Sequence, residues 1–225
     1  MRAMAADSVL NICFHGIGTP RRELEPGEDA YWIKADRYVQ ILDEIATWPS
    51  ARISFDDANA SDVEFGLPAL VERGLSAQFF VLAQRLDSPG SLGTGDIHEL
   101  VGRGMLIGTH GMSHRSWQRM DAATRTEELV EARQLIEEVA GTAVTQAACP
   151  MGRYDRHLLS ELRRLGYQRV YTSDRQVARR DHWLQPRFSV RRTDTPESMR
   201  RIALSGLSPA RRARDGIVSS IKRWR

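Results

Sequence analysis

Asp56 and Asp57 stand side by side at the end of a short apolar run, and further along the chain reads Gly108-Thr-His110-Gly-Met-Ser-His114. These residue types can grip one divalent cation. Asp57, His110 and His114 offer a carboxylate and two imidazoles. Three protein ligands leave a coordination position open, as in catalytic rather than closed structural sites. Asp56 is then a spare carboxylate, placed to take a proton from a water. The chemistry such a set performs is metal-assisted hydrolysis. Each half alone is unspecific. Asp-Asp pairs cap turns and helix starts, and His-x-x-x-His fits a helical face or two unrelated loop histidines. Their setting makes them informative together. Each follows a strand-like run and precedes an amphipathic stretch, and ligand crevices of parallel α/β folds lie at the carboxyl ends of strands.

The elements that must position these residues alternate along the chain. Period and turn residues predict strands over 8–14, 52–55, 76–82, 105–109, 145–148, 168–172 and 187–190. Helices are expected over 33–47, 67–73, 96–102, 121–140, 156–165 and 196–204. Thr124 and Glu127 suit a capping box at the start of the long helix, and Gly141 suits its end. Residues 23–30 read as loop. Seven strands alternating with helices argue for a parallel sheet. Periodicity does not separate an open sheet from a closed barrel.

At 225 residues, with 41% hydrophobic and 27% charged, the chain has the composition of a folded protein. No apolar run approaches a membrane-spanning length. The first residues lack a long apolar stretch, so no secretory signal is read and a cytoplasmic location is expected. Cys13 and Cys149 are too few for a disulfide framework and read as free thiols. Net charge is +3 but uneven: residues 175–225 carry 14 Lys/Arg against 4 Asp/Glu. No nucleic-acid-binding signature accompanies this basic stretch, so no nucleic-acid partner is expected.

Taken in order, these motifs resemble the NodB-type polysaccharide deacetylases, carbohydrate esterase family four. The family's Thr-Phe-Asp-Asp-Gly is similar to Ser54-Phe55-Asp56-Asp57-Ala58, and its His-x-x-x-His to His110–His114. Its third motif, often Phe-Ala-Tyr-Pro-Tyr-Gly in bacterial members, is similar to Ala147-Ala148-Cys149-Pro150-Met151-Gly152, and Phe79-Phe80-Val81 matches its Thr-Phe-Phe strand. The resemblance covers roughly residues 8–205 in motif order. It implies a distorted (β/α)7 barrel and a metal-dependent deacetylase acting on an N-acetylated glycan or glycoconjugate, with O-acetyl groups as further targets. It implies that Asp57, His110 and His114 bind the metal, most often zinc, with cobalt or nickel as substitutes. Asp56 is then the general base, and the backbone N–H at Met151 helps stabilise the oxyanion. Pro150 and Gly152 would fix the loop that presents that N–H, placing Pro150 at the substrate.

Two departures stand out. The family's fuller third motif begins with an Arg that orients the base, and Ala148 stands there. Arg187 can supply that charge from another strand, or it is a surface arginine. The family's late Leu-x-x-His is absent. In a permuted subgroup the acid comes from the first strand in a Tyr-His-x-Ile pattern, which Phe14-His15-Gly16-Ile17 matches. His15 is therefore expected, ahead of His182, to protonate the leaving amine. Trp32 and Trp117 flank the motifs and can stack on a sugar ring or pack in the core. The long polar loop 19–27 is expected on the cleft rim. Two rival readings keep the barrel: a hydrolase of another C–N amide bond, or a glycan-binding barrel without turnover.

The division expected is a catalytic barrel over 1–207 and a tail helix over 208–225. Ala210, Ala213, Ile217, Ile221 and Trp224 share one helical face there, and Arg211, Arg212, Lys222 and Arg223 are cationic. That helix can pack on the barrel or make weak contact with an anionic membrane surface, giving a membrane-associated protein.

Overall fold

The computed structural model describes residues 7–205, and the basic helix expected over 208–225 lies outside them. The architecture is a closed barrel of parallel strands wrapped by helices. β1 (Ser8–Phe14) is buried along its whole length, as a strand covered on both faces must be. It pairs in parallel with β2 (Ala51–Asp56) on one side, Phe14 opposite Phe55, and with β8 (Leu184–Ser189) on the other, Asn11 opposite Arg187. β3 (Ala77–Val81), β4 (Leu106–Thr109), β5 (Gln146–Ala148) and β6 (Arg169–Thr172) complete the ring in that order. β6 meets β8 and closes it. Between β4 and β5 the register holds at only one pair, Thr109 opposite Ala147. That thin seam is the barrel's distortion. A short strand, β7 (Ala178–Arg179), lies antiparallel on the start of β1 and outside the ring.

The helices cover the outer face. α1 (Ala35–Ala46) buries Tyr38, Ile41, Leu42 and Ile45, one stripe at helical spacing. α2 (Leu67–Glu72), α3 (Thr94–Gly102), α6 (Arg156–Arg164) and α7 (Pro196–Ser205) follow their strands. The main core lies between β1, β2, β3 and the helices α1, α2, α3 and α7. There Phe14, Phe55 and Phe79 stack in series, the last two with ring centroids 4.7 Å apart and 7° between planes.

The long helix expected over 121–140 is present with two differences. Its N-cap is Asp121, whose side chain accepts from the Thr124 N–H at 2.8 Å, and not a Thr124–Glu127 box. α4 (Ala122–Thr126) and α5 (Ala132–Ala140) are joined through a π-helical turn, Glu127–Glu131, which rotates Glu128 into the protein. Extra-residue turns of this kind cluster at functional sites. The loop expected over 23–30 holds one 3-10 turn, Glu28–Tyr31.

Candidate active site

The strand ends set the site. β2 runs into it with Ser54 and Asp56 on its inner face, and the chain then turns sharply, with Asp57 at φ 76° and Ala58 at φ 56°. Left-handed backbone at two consecutive non-glycine residues is strained, and the surrounding structure must hold it. Asn59 provides one anchor: its Oδ1 accepts from Arg22 Nη2 at 2.8 Å, and Arg22 also pairs with Glu28. The turn places Asp56 and Asp57 on two different errands.

Asp56 faces Arg187, which is fully buried on β8. The pair is bidentate, with Nη1–Oδ1 at 2.7 Å and Nη2–Oδ2 at 2.6 Å, and Ser54 Oγ accepts from Nη1 at 3.1 Å. The Arg187 guanidinium lies 5.1 Å from the Phe80 ring centroid and 5.7 Å from that of Tyr171. Arg187 is therefore no surface arginine: it stands behind the carboxylate where Ala148 has no charge to offer. Burial pushes the Asp56 carboxyl up, but Arg187 and His110 outweigh it and hold it well below the usual carboxylate range.

Asp57 faces the histidines. Its Oδ1 lies 3.5 Å from His110 Nε2 and 3.4 Å from His114 Nε2. It is 1% exposed, and that same oxygen is buried with no hydrogen-bond partner. Each imidazole is oriented from behind. His110 Nδ1 meets the Ala148 carbonyl at 2.8 Å, and His114 Nδ1 meets Glu25 Oε2 at 2.7 Å. Both partners can only accept, so both Nδ1 atoms carry a proton and both Nε2 atoms face Asp57. Burial pushes His110 down to about 4, against the pull of both aspartates, so the ring is neutral at physiological pH.

The three ligand atoms lie within 4.8 Å of one another. An orphaned buried carboxylate oxygen facing two imidazole nitrogens is costly in an apolar interior unless a cation satisfies it. The donor set of one oxygen and two nitrogens suits zinc and its first-row neighbours. Backing a metal-binding His with a carboxylate or a backbone carbonyl is how such sites fix their ligands.

The segment carrying the histidines is clamped by Glu128, delivered by the π turn. Its carboxylate accepts from the Met112 N–H at 2.9 Å, the Ser113 N–H at 3.2 Å and the Ser113 hydroxyl at 2.6 Å. The loop after β1 supplies Glu25, held in turn by Arg85. The reading of the sequence placed this loop on the rim but missed Glu25, and it missed Glu128 altogether. Glu128 did leave a signal. It stands four residues before Ala132 on a buried stripe continuing to Ile136 and Ala140, a charge on an apolar face.

His15 leaves β1 beside Asp56: one ring nitrogen, an Asp56 oxygen and Cys13 Sγ lie within 4.8 Å of one another. Its Nδ1 is buried without a partner, and its ring lies 4.9 Å from that of Tyr31. His182 sits in the turn between β7 and β8, its carbonyl accepting from Gln185 at the start of β8, at the barrel's opposite end. Met151 has φ 57° in the Pro150–Gly152 turn after β5, and half of it is exposed. The Gly152 and Arg153 amides bond back to Cys149 and Pro150.

A polysaccharide deacetylase family model matches residues 46–170. The chain belongs to the polysaccharide deacetylase family. No curated protein matches it significantly. Among solved structures, the chain is similar to the Streptococcus pyogenes deacetylase PplD in complex with acetate (TM-score 0.72, 18% identity, 90% of this chain and 99% of that one). It is similar to IcaB from Ammonifex degensii (TM-score 0.70, 18% identity, 90% and 98%). It is also similar to BC0361, a polysaccharide deacetylase from Bacillus cereus (TM-score 0.72, 17% identity, 89% and 69%). At these identities the likeness is one of fold, and the (β/α)7 barrel of this family of deacetylases is the one found here.

Three residues expected at the substrate are buried by the packing. Trp117 is 2% exposed with its indole N–H on Glu128, so neither ring face is free for a sugar. Trp32 is 6% exposed and lies so close over Gly16 that a Cβ there would meet its ring at 2.0 Å. Pro150 is buried and shapes the turn from within. In each case the apolar surface goes to the interior, which is the larger stabilisation.

Proposed function

We propose that the protein is a metal-dependent hydrolase that removes N-acetyl groups from an amino-sugar glycan or glycoconjugate, O-acetyl groups being secondary targets. One observation carries the reading. Adjacent aspartates are divided between an arginine and two imidazoles, one carboxylate oxygen remaining unpaired between the imidazoles. Asp57, His110 and His114 would hold the cation, zinc best and cobalt or nickel in its place. When bound there, it polarises the acetyl carbonyl and acidifies a water.

The chain's own residues do the rest. Asp56, kept ionised by Arg187 and fixed at both oxygens, takes the proton as water adds to the carbonyl carbon. Its low basicity is offset by position, since orientation alone can supply a large part of the barrier reduction. The Met151 N–H, at the tip of its turn, donates to the oxygen that gains negative charge. The C–N bond then breaks, and His15 donates the proton that makes the departing nitrogen an amine. The products are acetate and a free amino sugar. The exposed Met151 side chain stands on the rim, where it contacts the glycan.

The test is acetate release from N-acetylglucosamine oligomers, with zinc, cobalt or nickel added, alongside small non-sugar amides. Release from the oligomers alone supports the reading. Release only from the small amides, or glycan binding that survives Asp56→Asn with no turnover by the wild type, would overturn it.

A further inference from the structure

The barrel has a second mouth, at the starts of its strands and opposite the site just described. A cavity of about 200 Å³ opens there, lined among others by Asn11, Arg52, Gln78, Gln146, Arg169 and Tyr171. These come from inner faces of β1, β2, β3, β5 and β6, so the cavity is the lower end of the barrel lumen. We propose that this cavity binds inorganic phosphate between Arg52 and Arg169.

The charges are the first argument. Burial and the guanidiniums of Arg169 and Arg180 disfavour the charge on Arg52, while the Tyr171 phenol favours it. No ion pair among the described residues includes Arg52, Arg169 or Arg180, although their neighbour Arg179 has Asp181. Two guanidiniums at a half-buried cavity with no carboxylate are a site for an oxyanion, whose geometry the planar fork matches.

Unmet hydrogen bonds are the second. Arg52 Nη1 and Gln78 Nε2 are buried donors without a partner, and Gln78 is 7% exposed. Asn11 uses Nδ2 on Gln185 and Pro186, both at 3.0 Å, which leaves its buried Oδ1 as an acceptor with nothing to accept. Gln146 Oε1 already receives the Tyr171 hydroxyl at 2.9 Å. The cavity thus offers several donors and one free acceptor. Inorganic phosphate at neutral pH has oxygens for the donors and a P–OH for Asn11 Oδ1. Sulfate and the phosphoryl group of a dianionic ester have no proton to give.

Size is the third. A water occupies about 30 Å³ of liquid, so 200 Å³ takes a phosphate ion with a few waters. It falls below the roughly 300–1,000 Å³ of sites for larger ligands.

Calorimetric titration of the metal-loaded protein at pH 7 with inorganic phosphate, sulfate and a hexose 6-phosphate tests this. Expected is saturable one-to-one phosphate binding, weaker by about tenfold or more for sulfate and the ester. Arg52→Gln and Arg169→Gln should weaken phosphate to a similar degree while acetate release persists. Asp57→Ala, which disables the other place an anion could bind, should leave phosphate affinity unchanged. No binding by the wild type, or binding indifferent to both arginine variants, overturns the proposal. Should those variants not fold, crystals of the wild type soaked in arsenate decide: an anomalous peak between Arg52 and Arg169 supports the site, and none there refutes it.

Discussion

Asp56 and Asp57 are the same residue type, one peptide apart, with opposite surroundings. Arg187 holds Asp56 by both oxygens, and the histidines leave an Asp57 oxygen in need of a cation. Arg187→Met separates the effects. It breaks a buried pair, which costs about 3–5 kcal/mol of stability. It also leaves burial as the largest influence on Asp56, so that carboxyl rises. An ionised base is required, so the acid limb of the kcat/KM profile then moves to higher pH. A pH–rate profile with an unmoved limb contradicts Asp56 as base. His15→Ala should lower kcat by about 10²–10⁴, as loss of a general acid does. It should also remove the alkaline limb of the profile, and an unchanged limb would exclude His15. The first-strand histidine and the paired motifs were legible because residue type and order survive in the sequence. Arg187 was legible only as one of two options, since the alternation along β8 cannot say which face is the lumen.

At the scale of elements, the site depends on supports that carry no motif. Glu128 enters because of a π turn that hydrophobic periodicity does not encode, and Glu25 because a long loop folds back over β4's end. Glu128 acts through the backbone it clamps and Glu25 through the His114 ring, and neither needs to touch substrate. Glu25→Gln keeps the shape but removes the charge behind His114, so metal affinity should fall about 10–100-fold. A competitive chelator titration reads this, and an unchanged dissociation constant would mean that Glu25 only decorates the loop. Glu128→Gln loses charge-assisted bonds to the 112–113 segment and should cost about 1–3 kcal/mol in denaturant unfolding. The turn-forming residues were readable, as Gly141 at φ 63° after α5 illustrates. The start of α4 was misread because Asp121 and Thr124 are both competent caps, and the choice between them depends on where the preceding loop enters.

For the whole molecule, barrel closure was beyond periodicity. Alternating strands and helices are common to open sheets and barrels, and the pairing of β1 with both β2 and β8 is a long-range fact. A lumen rich in polar side chains is the less expected outcome. Asn11, Arg52, Gln78, Gln185 and Arg187 face the inside of the closed ring, whose end at the strand starts is lined with arginines. A bound cation that orders residues from β2 and the loop after β4 should stabilise the entire barrel. With free metal at about 100 times its dissociation constant the gain is about 2.7 kcal/mol. Differential scanning calorimetry with and without chelator checks this, and coincident transitions would contradict it.

The most direct measurement is metal content by elemental analysis, paired with acetate release on the same samples, for wild type, Asp57→Ala and His114→Ala. The account predicts one zinc-class ion per wild-type chain, near none in either variant, and acetate release that tracks occupancy and returns when zinc is restored to stripped wild type. Full metal content in the variants, or acetate release that ignores stripping, would contradict it.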